Sequence, residues 1–480
     1  MTRLFRLAMC LVLAVCVALA ARASAAEGAK DKPAAAPAAV SYFKDIRPIF
    51  QTHCQGCHQP AKASGTYVMT SMELLVKGGE SETAAIVAGK PDESNLITQI
   101  TPADGKAEMP KDKPPLAAAE IARIRQWIAE GAKDDTPMSV RQAIDSEHPP
   151  TYEGMPVLTS LAFAPDDSLL AVSGYHETLL YKADGSELVA RLVGQSERIE
   201  AVAFSPDGKK LAVAGGSPGR LGELQVWNVA ERTLKYSLPV TYDTIYGASW
   251  SHDGGKIAFG CGDNTLRAVD AETGKQVLYQ GAHNDWVLDT VFSKDSSYLI
   301  SVSRDRSMKL VEVATQRFVD NITSITPGAL KGGLEAVDRH PAKDELLIGG
   351  ADGVPKTYQM LRTKKREIGD DFNRIKAYDP VPGRIYDVDF NTDGSRFAVA
   401  SSLDGAGEVR IYETDSGNLL HKLEGQRGAV YAVCFNTSGK VVASAGFDGL
   451  VRLNDADTGK LIKEFSPVPT ASLKVAAAGK

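Results

Sequence analysis

Apolar residues first gather in an unbroken run, LAMCLVLAVCVALAA at residues 7–21, behind Arg3 and Arg6. Fifteen apolar residues are short for a bilayer span. After residue 40 the pattern becomes periodic. Tyr42, Phe43, Ile46, Ile49 and Phe50 recur three and four apart, which predicts an amphipathic helix. Glu73-Leu74-Leu75-Val76 reads as a short helix. Residues 117–130, AAAEIARIRQWIAE, place Ile121, Ile124 and Ile128 on one face beside Trp127, and Gly131 is positioned to end that helix.

Further on the helical period gives way to short apolar strands that repeat. Phe163, Phe204, Trp250, Phe292, Arg339, Phe390 and Phe435 each end an apolar run just before a turn, at gaps of 41, 46, 42, 47, 51 and 45 residues. Turn residues follow, as in Ser205-Pro206-Asp207-Gly208 and Asn391-Thr392-Asp393-Gly394. Each turn then leads into a small-residue strand such as LAVAGG at 211–216. Seven units of this period predict a β-propeller with four strands per blade. The strands are apolar on both faces, as in a blade held between two others. Near residue 430 strict alternation would set Val430, Ala432 and Cys434 against Tyr431, Val433 and Phe435. Asp263, Asp305, Asp352 and Asp448 fall at a tight turn between middle strands, where a structural role is expected. The last unit owns its outer strand, LIKEF at 461–465, so the manner of ring closure is left open.

Composition narrows the class. Hydrophobic residues at 43% and charged residues at 24% are ordinary for a globular chain. A net charge of -6 argues against general nucleic-acid binding. The opening run, with the small residues Ala23-Ser24-Ala25 behind it, reads as a secretory signal cleaved before Ala26. The alternative is an uncleaved anchor. Cleavage would leave no membrane span and place the protein in the periplasm or otherwise outside the cytoplasm. Residues 26–40, AEGAKDKPAAAPAAV, read as a flexible linker.

Candidate chemistry concentrates in Cys54-Gln55-Gly56-Cys57-His58. This is the attachment pattern of a c-type haem. Two thiols one helical turn apart can add to the two haem vinyl groups, and the next residue sets an imidazole beneath the iron. A thioredoxin-like pair would open a helix after a strand, and no strand precedes this one. A zinc site needs further ligands nearby, whereas the next cysteine is Cys261. For the sixth iron ligand the choice is Met109, in the loop before the last helix, where a thioether would raise the potential. Met69 and Met72 are its rivals and read as core fillers. His53 reads as a packing or surface residue. Cys261 and Cys434, in the third and seventh units, read as small buried hydrophobes too far apart to pair. Lys364-Lys365-Arg366 reads as solvated surface or a dock for an acidic partner. No histidine pair has metal-ligand spacing, and no Ser/His/Asp set or phosphate loop is present.

Two resemblances sharpen the picture. Ile46-Arg47-Pro48-Ile49-Phe50, the CQGCH motif, Gly78-Gly79, Ser94-Asn95-Leu96, Met109-Pro110, Trp127-Ile128 and Gly131-Ala132 resemble the cytochrome c domain of planctomycete multidomain proteins. In that family the methionine of the Met-Pro pair is taken as the distal ligand, which implies Met109 here. Lys111-Asp112-Lys113 before Pro114-Pro115 departs from the shorter link usual there. The later units resemble WD40 repeats, with Val226-Trp227-Asn228 where Trp-Asp is usual.

The expected fold is multidomain, a small all-α cytochrome c-like domain followed by an all-β seven-bladed WD40-like propeller. Its parts are a signal peptide at 1–25, a linker at 26–40, a cytochrome c domain at 41–138, a linker at 139–155, the propeller at 156–470 and a tail at 471–480. The expected function is single-electron transfer through one covalent haem c, held by Cys54, Cys57, His58 and Met109. A redox partner protein and a protein ligand of the propeller would be its partners. A haem enzyme of the cytochrome cd1 kind is the alternative, although that class has eight blades and a second haem. A haem-based redox or ligand sensor is another, favoured by an open sixth position.

Overall fold

A computed structural model describes residues 39–469, except 60–61, 82, 138–143, 282, 325–330 and 368. The expected signal peptide, most of the linker after it and the C-terminal tail lie outside the described residues. The chain divides into two compact units, one formed by Met1–His53 with Val76–Asp135 and the other by Cys54–Leu75 with Thr136–Lys480.

The first unit is helical. A wide helical turn, Tyr42–Ile46, runs into α1, Arg47–His53. The short helix α2 spans Met72–Lys77, across the division between the units. Then come α3, Asn95–Ile100, and α4, Ala118–Ala129. The expected helical faces are the buried ones. Ile46, Phe50, Ile124 and Ile128 are fully buried, and Trp127 packs on Tyr42 at 5.3 Å and edge-on to Phe50 at 6.3 Å. Burying a side chain such as that of Trp127 contributes about 3 kcal/mol or more. At the start of α4 the Glu120 carboxylate reaches back to accept the Ala117 N–H at 2.9 Å, half of a capping box. Its end is set by Gly131, whose φ of +100° only glycine adopts freely, and the Gly131 N–H donates to the Ile128 carbonyl.

Among the described residues the second unit is built from antiparallel strands in five four-stranded sheets and one seven-stranded sheet, besides a small hairpin. The large sheet contains a 17-residue strand, Leu188–Phe204. Its residues 188–193 pair with Tyr175–Lys182 and its residues 198–204 with Lys210–Ser217, so one strand serves two four-stranded repeats. All seven residues aligned from the sequence, Phe163 to Phe435, are the last residues of the strands that lead their repeats. Successive leading strands pack on one another, and Val430–Phe435 of the last lies against Leu161–Phe163 of the first. Among the described residues no hydrogen-bonded ladder closes the sheets into one barrel.

Two expectations need correction. The hairpin His58–Gln59 with Lys62–Ala63 adds strand where an all-α segment was expected, and Cys54–Leu75 clusters with the strands and not with the helices. The strict alternation near residue 430 also fails. Val430 pairs with Gly446 but Ala432 pairs with Ala445, so Tyr431 is an extra residue, a β-bulge. Val430 thereby joins Val433 and Phe435 in one core, while Ala432 turns to another. The same one-residue bulge occurs in the leading strands at Glu200, Leu288, Glu335 and Tyr386. In the third repeat the register shifts between Tyr246 and Ser249. There Gly247 has φ +57°, and a Cβ would stand 2.8 Å from the Asp289 Cα, so glycine lets two leading strands close.

Candidate functional site

The chain leaves α1 at His53 and turns at once. The N–H groups of Cys57 and His58 both donate to the Cys54 carbonyl, each at 3.1 Å. One turn therefore carries both thiols and the imidazole. Cys54 is half-buried, Cys57 is exposed, and neither forms a disulfide. The loop that follows folds back on the turn. The Met69 N–H donates to the His58 carbonyl at 2.9 Å, and the Gln55 amide donates to the Met69 carbonyl at 2.7 Å. His58 Nδ1 lies 3.3 Å from the Tyr67 carbonyl, with the Tyr67 ring 5.5 Å from the imidazole. The Tyr67 hydroxyl is anchored in turn on the Leu75 carbonyl at 2.9 Å. A carbonyl facing Nδ1 fixes the proton on that nitrogen and leaves the Nε2 lone pair for a metal.

Gln59 is fully buried. Its Nε2 donates to the Gly219 carbonyl at 3.2 Å, while its Oε1 is a buried acceptor with no hydrogen-bond partner. Two thiols outside any disulfide and an imidazole on the same turn, its Nδ1 facing a carbonyl, fit a covalently held haem.

Met109 stands half-buried between α3 and α4, its N–H donating to the Gln99 carbonyl at 2.9 Å. It belongs to the first compact unit, whereas Cys54, Cys57 and His58 belong to the second. Met69 is buried, in keeping with a packing role. His53 Nε2 lies 3.3 Å from the Glu120 carboxylate. Among the described residues no group of three or more His, Cys, Asp and Glu side chains is arranged for a metal ion, so the zinc alternative finds no ligand set.

In the repeats the turn aspartates are paired, Asp263 with Arg267 at 2.5 Å, Asp448 with Arg452 at 2.6 Å, and Asp352 with Lys356. Asp305 instead faces the buried His283, which also meets Ser301 at 2.8 Å. Cys261 is fully buried, its thiol pushed up to about 12 by burial. The basic run is largely engaged from within. Arg366 pairs with Asp320, and Lys364 lies over the Phe372 ring.

One feature escaped the sequence reading. Asp289, Asp338, Asp387 and Asp389 on the leading strands each accept a backbone N–H from the next leading strand, those of Val337, Phe390, Val433 and Phe435, at 3.0, 2.8, 2.8 and 2.6 Å. Burial raises all four carboxyls, and Asp289 is pushed up to about 7. Their place in the repeat alignment, one or three residues before the anchor, is the signal that could have found them.

Residues 54–113 match the family model for planctomycete cytochrome C, and residues 186–228, 274–312 and 417–455 match that for the WD domain, G-beta repeat. Among curated proteins the chain is similar to eukaryotic translation initiation factor 3 subunit I. With that of Coccidioides immitis it shares 25% identity over 64% of this chain and 82% of the relative. With that of Candida albicans it shares 24% identity over 72% of this chain and 91% of the relative. These relatives, translation initiation factor subunits by name, overturn the expected periplasmic or otherwise exported location. Among the described residues no helix is long and apolar enough to cross a membrane. The two family matches, in this order along one polypeptide, make the chain a fusion of a planctomycete-type cytochrome c segment with WD40 repeats.

Proposed function

We propose that this chain carries one haem c on Cys54 and Cys57, ligated by His58 and Met109, and transfers single electrons to or from a protein docked on its repeats. The turn Cys54–His58 carries this reading, because its two amide bonds to one carbonyl gather both thiols and the imidazole. The Tyr67 carbonyl holds the His58 proton on Nδ1, and the Gln55 amide braces the loop through Met69. When bound, the haem supplies a one-electron iron couple whose potential a thioether ligand raises. We read the repeats as a seven-bladed propeller. The seven anchors at equivalent strand ends, and the packing of the last leading strand on the first, support that closure. A rigid array of this kind offers an extended surface to a partner.

Haem staining of denatured protein after expression with haem-attachment machinery tests the assignment. One covalent haem per chain is expected, lost in Cys54→Ser with Cys57→Ser. Met109→Ala should remove the methionine-to-iron charge-transfer band. A covalent stain that survives the double substitution refutes the attachment site. Rapid carbon monoxide binding by the reduced parent, unchanged by Met109→Ala, refutes the sixth ligand.

A further inference from the structure

Gln59 follows His58 directly and is fully buried. The two residues form a short strand paired with Lys62–Ala63, and the Met69 N–H donates to the His58 carbonyl at 2.9 Å. The Gln59 side chain leaves this local structure, and its Nε2 donates to the Gly219 carbonyl at 3.2 Å. Gly219 stands in the tip of the hairpin formed by Lys210–Ser217 and Leu221–Asn228. Pro218 and Gly219, the glycine at φ +68°, fill the middle of a turn that the Arg220 N–H closes on the Ser217 carbonyl at 2.9 Å. The ladder of this hairpin ends at Ser217 and Leu221, so the Gly219 carbonyl takes no part in it.

The tip is otherwise sparsely held. Pro218 and Gly219 are exposed, and beyond the chain neighbours no described atom stands within 4 Å of the place a Gly219 Cβ would take. Arg220 meets Glu197 only at 3.8 Å. The Gly219 N–H donates to the Asp243 carboxylate at 3.1 Å, and the same oxygen accepts the Thr244 N–H at 2.8 Å. A continuous line of bonds therefore runs from His58 through Gln59, Gly219 and Asp243 to the entry of the third leading strand, Ile245–Trp250. Exposed Tyr242 stands beside Asp243 on this edge. Segments with few buried contacts open readily, and a contact from a residue already ordered closes them at less entropic cost.

Within the chain itself the turn Cys54–His58 is held by two amide bonds of 3.1 Å, and Cys57 is exposed. Bonds from Cys54, Cys57 and His58 to one rigid plate would fix that turn, and with it the strand that starts Gln59 toward Gly219. We infer that attachment of the haem, on the reading proposed above, locks the hairpin tip at 217–221 and the edge at 241–245, with Gln59 as the connecting residue. The haem-loaded chain then presents its Tyr242 edge to a partner in one arrangement, and the haem-free chain leaves that edge loose. Gln59 is a positioning residue, since it acts on the edge through Gly219 and Asp243.

Hydrogen exchange read by mass spectrometry on the full chain compares the haem-loaded parent with the haem-free protein carrying Cys54→Ser and Cys57→Ser. Attachment should slow exchange in segments 217–221 and 241–245 by about fivefold or more, the lower end of coupling between linked sites. Exchange at 446–450, the corresponding turn of the last repeat, should not change. Gln59→Ala in the haem-loaded chain should restore the faster exchange in both segments. Equal exchange with and without haem, slowing that survives Gln59→Ala, or equal slowing at 446–450 would each overturn the lock. The parent comparison does not need Gln59→Ala, so misfolding of that variant cannot mask the answer. Haem staining of the same samples separates the two readings. A parent without covalent haem overturns the haem assignment and the lock with it, whereas a stained parent with unslowed segments overturns the lock alone.

Discussion

Replacing Asp289 by Asn should change the sign of a pH effect. The Asp289 carboxylate accepts the N–H groups of Val337 at 3.0 Å and Thr290 at 2.8 Å, which favour its charged form. Burial opposes them, the neighbouring Asp338 adds repulsion, and together they push the carboxyl from 3.8 up to about 7. A carboxyl raised on folding takes up protons as the chain folds. Its contribution to stability is therefore present at low pH and lost as pH climbs from the unfolded to the folded value. At 1.36 kcal/mol per pH unit the whole loss is of order 4 kcal/mol, of which about 2 falls between pH 5 and pH 7. Asp289 retains some exposed surface, so water in reach of it makes these upper bounds. Asn stays neutral throughout and gives up one acceptor, at about 1 kcal/mol. Urea midpoints of parent and Asp289→Asn should therefore converge and then cross between about pH 5 and pH 8, with the variant the more stable at the upper end. Half-buried His176 and buried His283 and His340, whose values burial lowers, stabilise in the opposite direction as pH rises, but they are common to both chains and cancel in the difference. A difference that stays constant with pH, or that grows in favour of Asp at high pH, would show that the two N–H groups outweigh burial.

Other consequences are simpler to read. Trp127→Ala removes the fully buried ring between Tyr42 and Phe50 and should cost the helical unit about 3–5 kcal/mol in chemical denaturation followed by far-ultraviolet circular dichroism. Arg452 is 1% exposed and bridges Asp448 at 2.6 Å and Glu464 at 2.9 Å, so Arg452→Met should leave Asp448 without its cation and Glu464 with only the exposed Arg427 at 3.4 Å, and cost about 3 kcal/mol. A melting temperature unchanged by that substitution would show the bridge to be energetically idle. In haem-free protein at pH 8 a thiol reagent should modify exposed Cys57 within minutes and Cys261 only on unfolding, because burial removes both access and thiolate at Cys261. Peptide mapping of the modified sites checks the order.

The part of this molecule that was legible in the sequence is the part whose causes are local. The helix expected at 117–130 runs over Ala118–Ala129, because a face of isoleucines and a terminal glycine act within a few turns. The turn at Cys54 is legible for the same reason, since its hydrogen bonds span at most four residues. The anchors from Phe163 to Phe435 were legible because each ends an apolar run at a turn. What stayed hidden depends on pairing between distant residues. Whether Tyr431 stands in register is decided by Gly446 and Ala445 on the next strand, not by its own neighbours. The Asp289 carboxylate finds its donor 48 residues away, in the next repeat. The grouping of Cys54–Leu75 with the strands is another long-range effect, seen in the bond from Gln59 to Gly219, 160 residues on. These hidden features share a cause. A bulge in each of five leading strands breaks the alternation at one level, so residues that a simple period assigns to the core, among them Glu200 and Glu335, are freed from it. Polar and aromatic residues at such positions cost the sheet less than they would in a regular ladder. Chemistry can therefore accumulate there without loss of the fold.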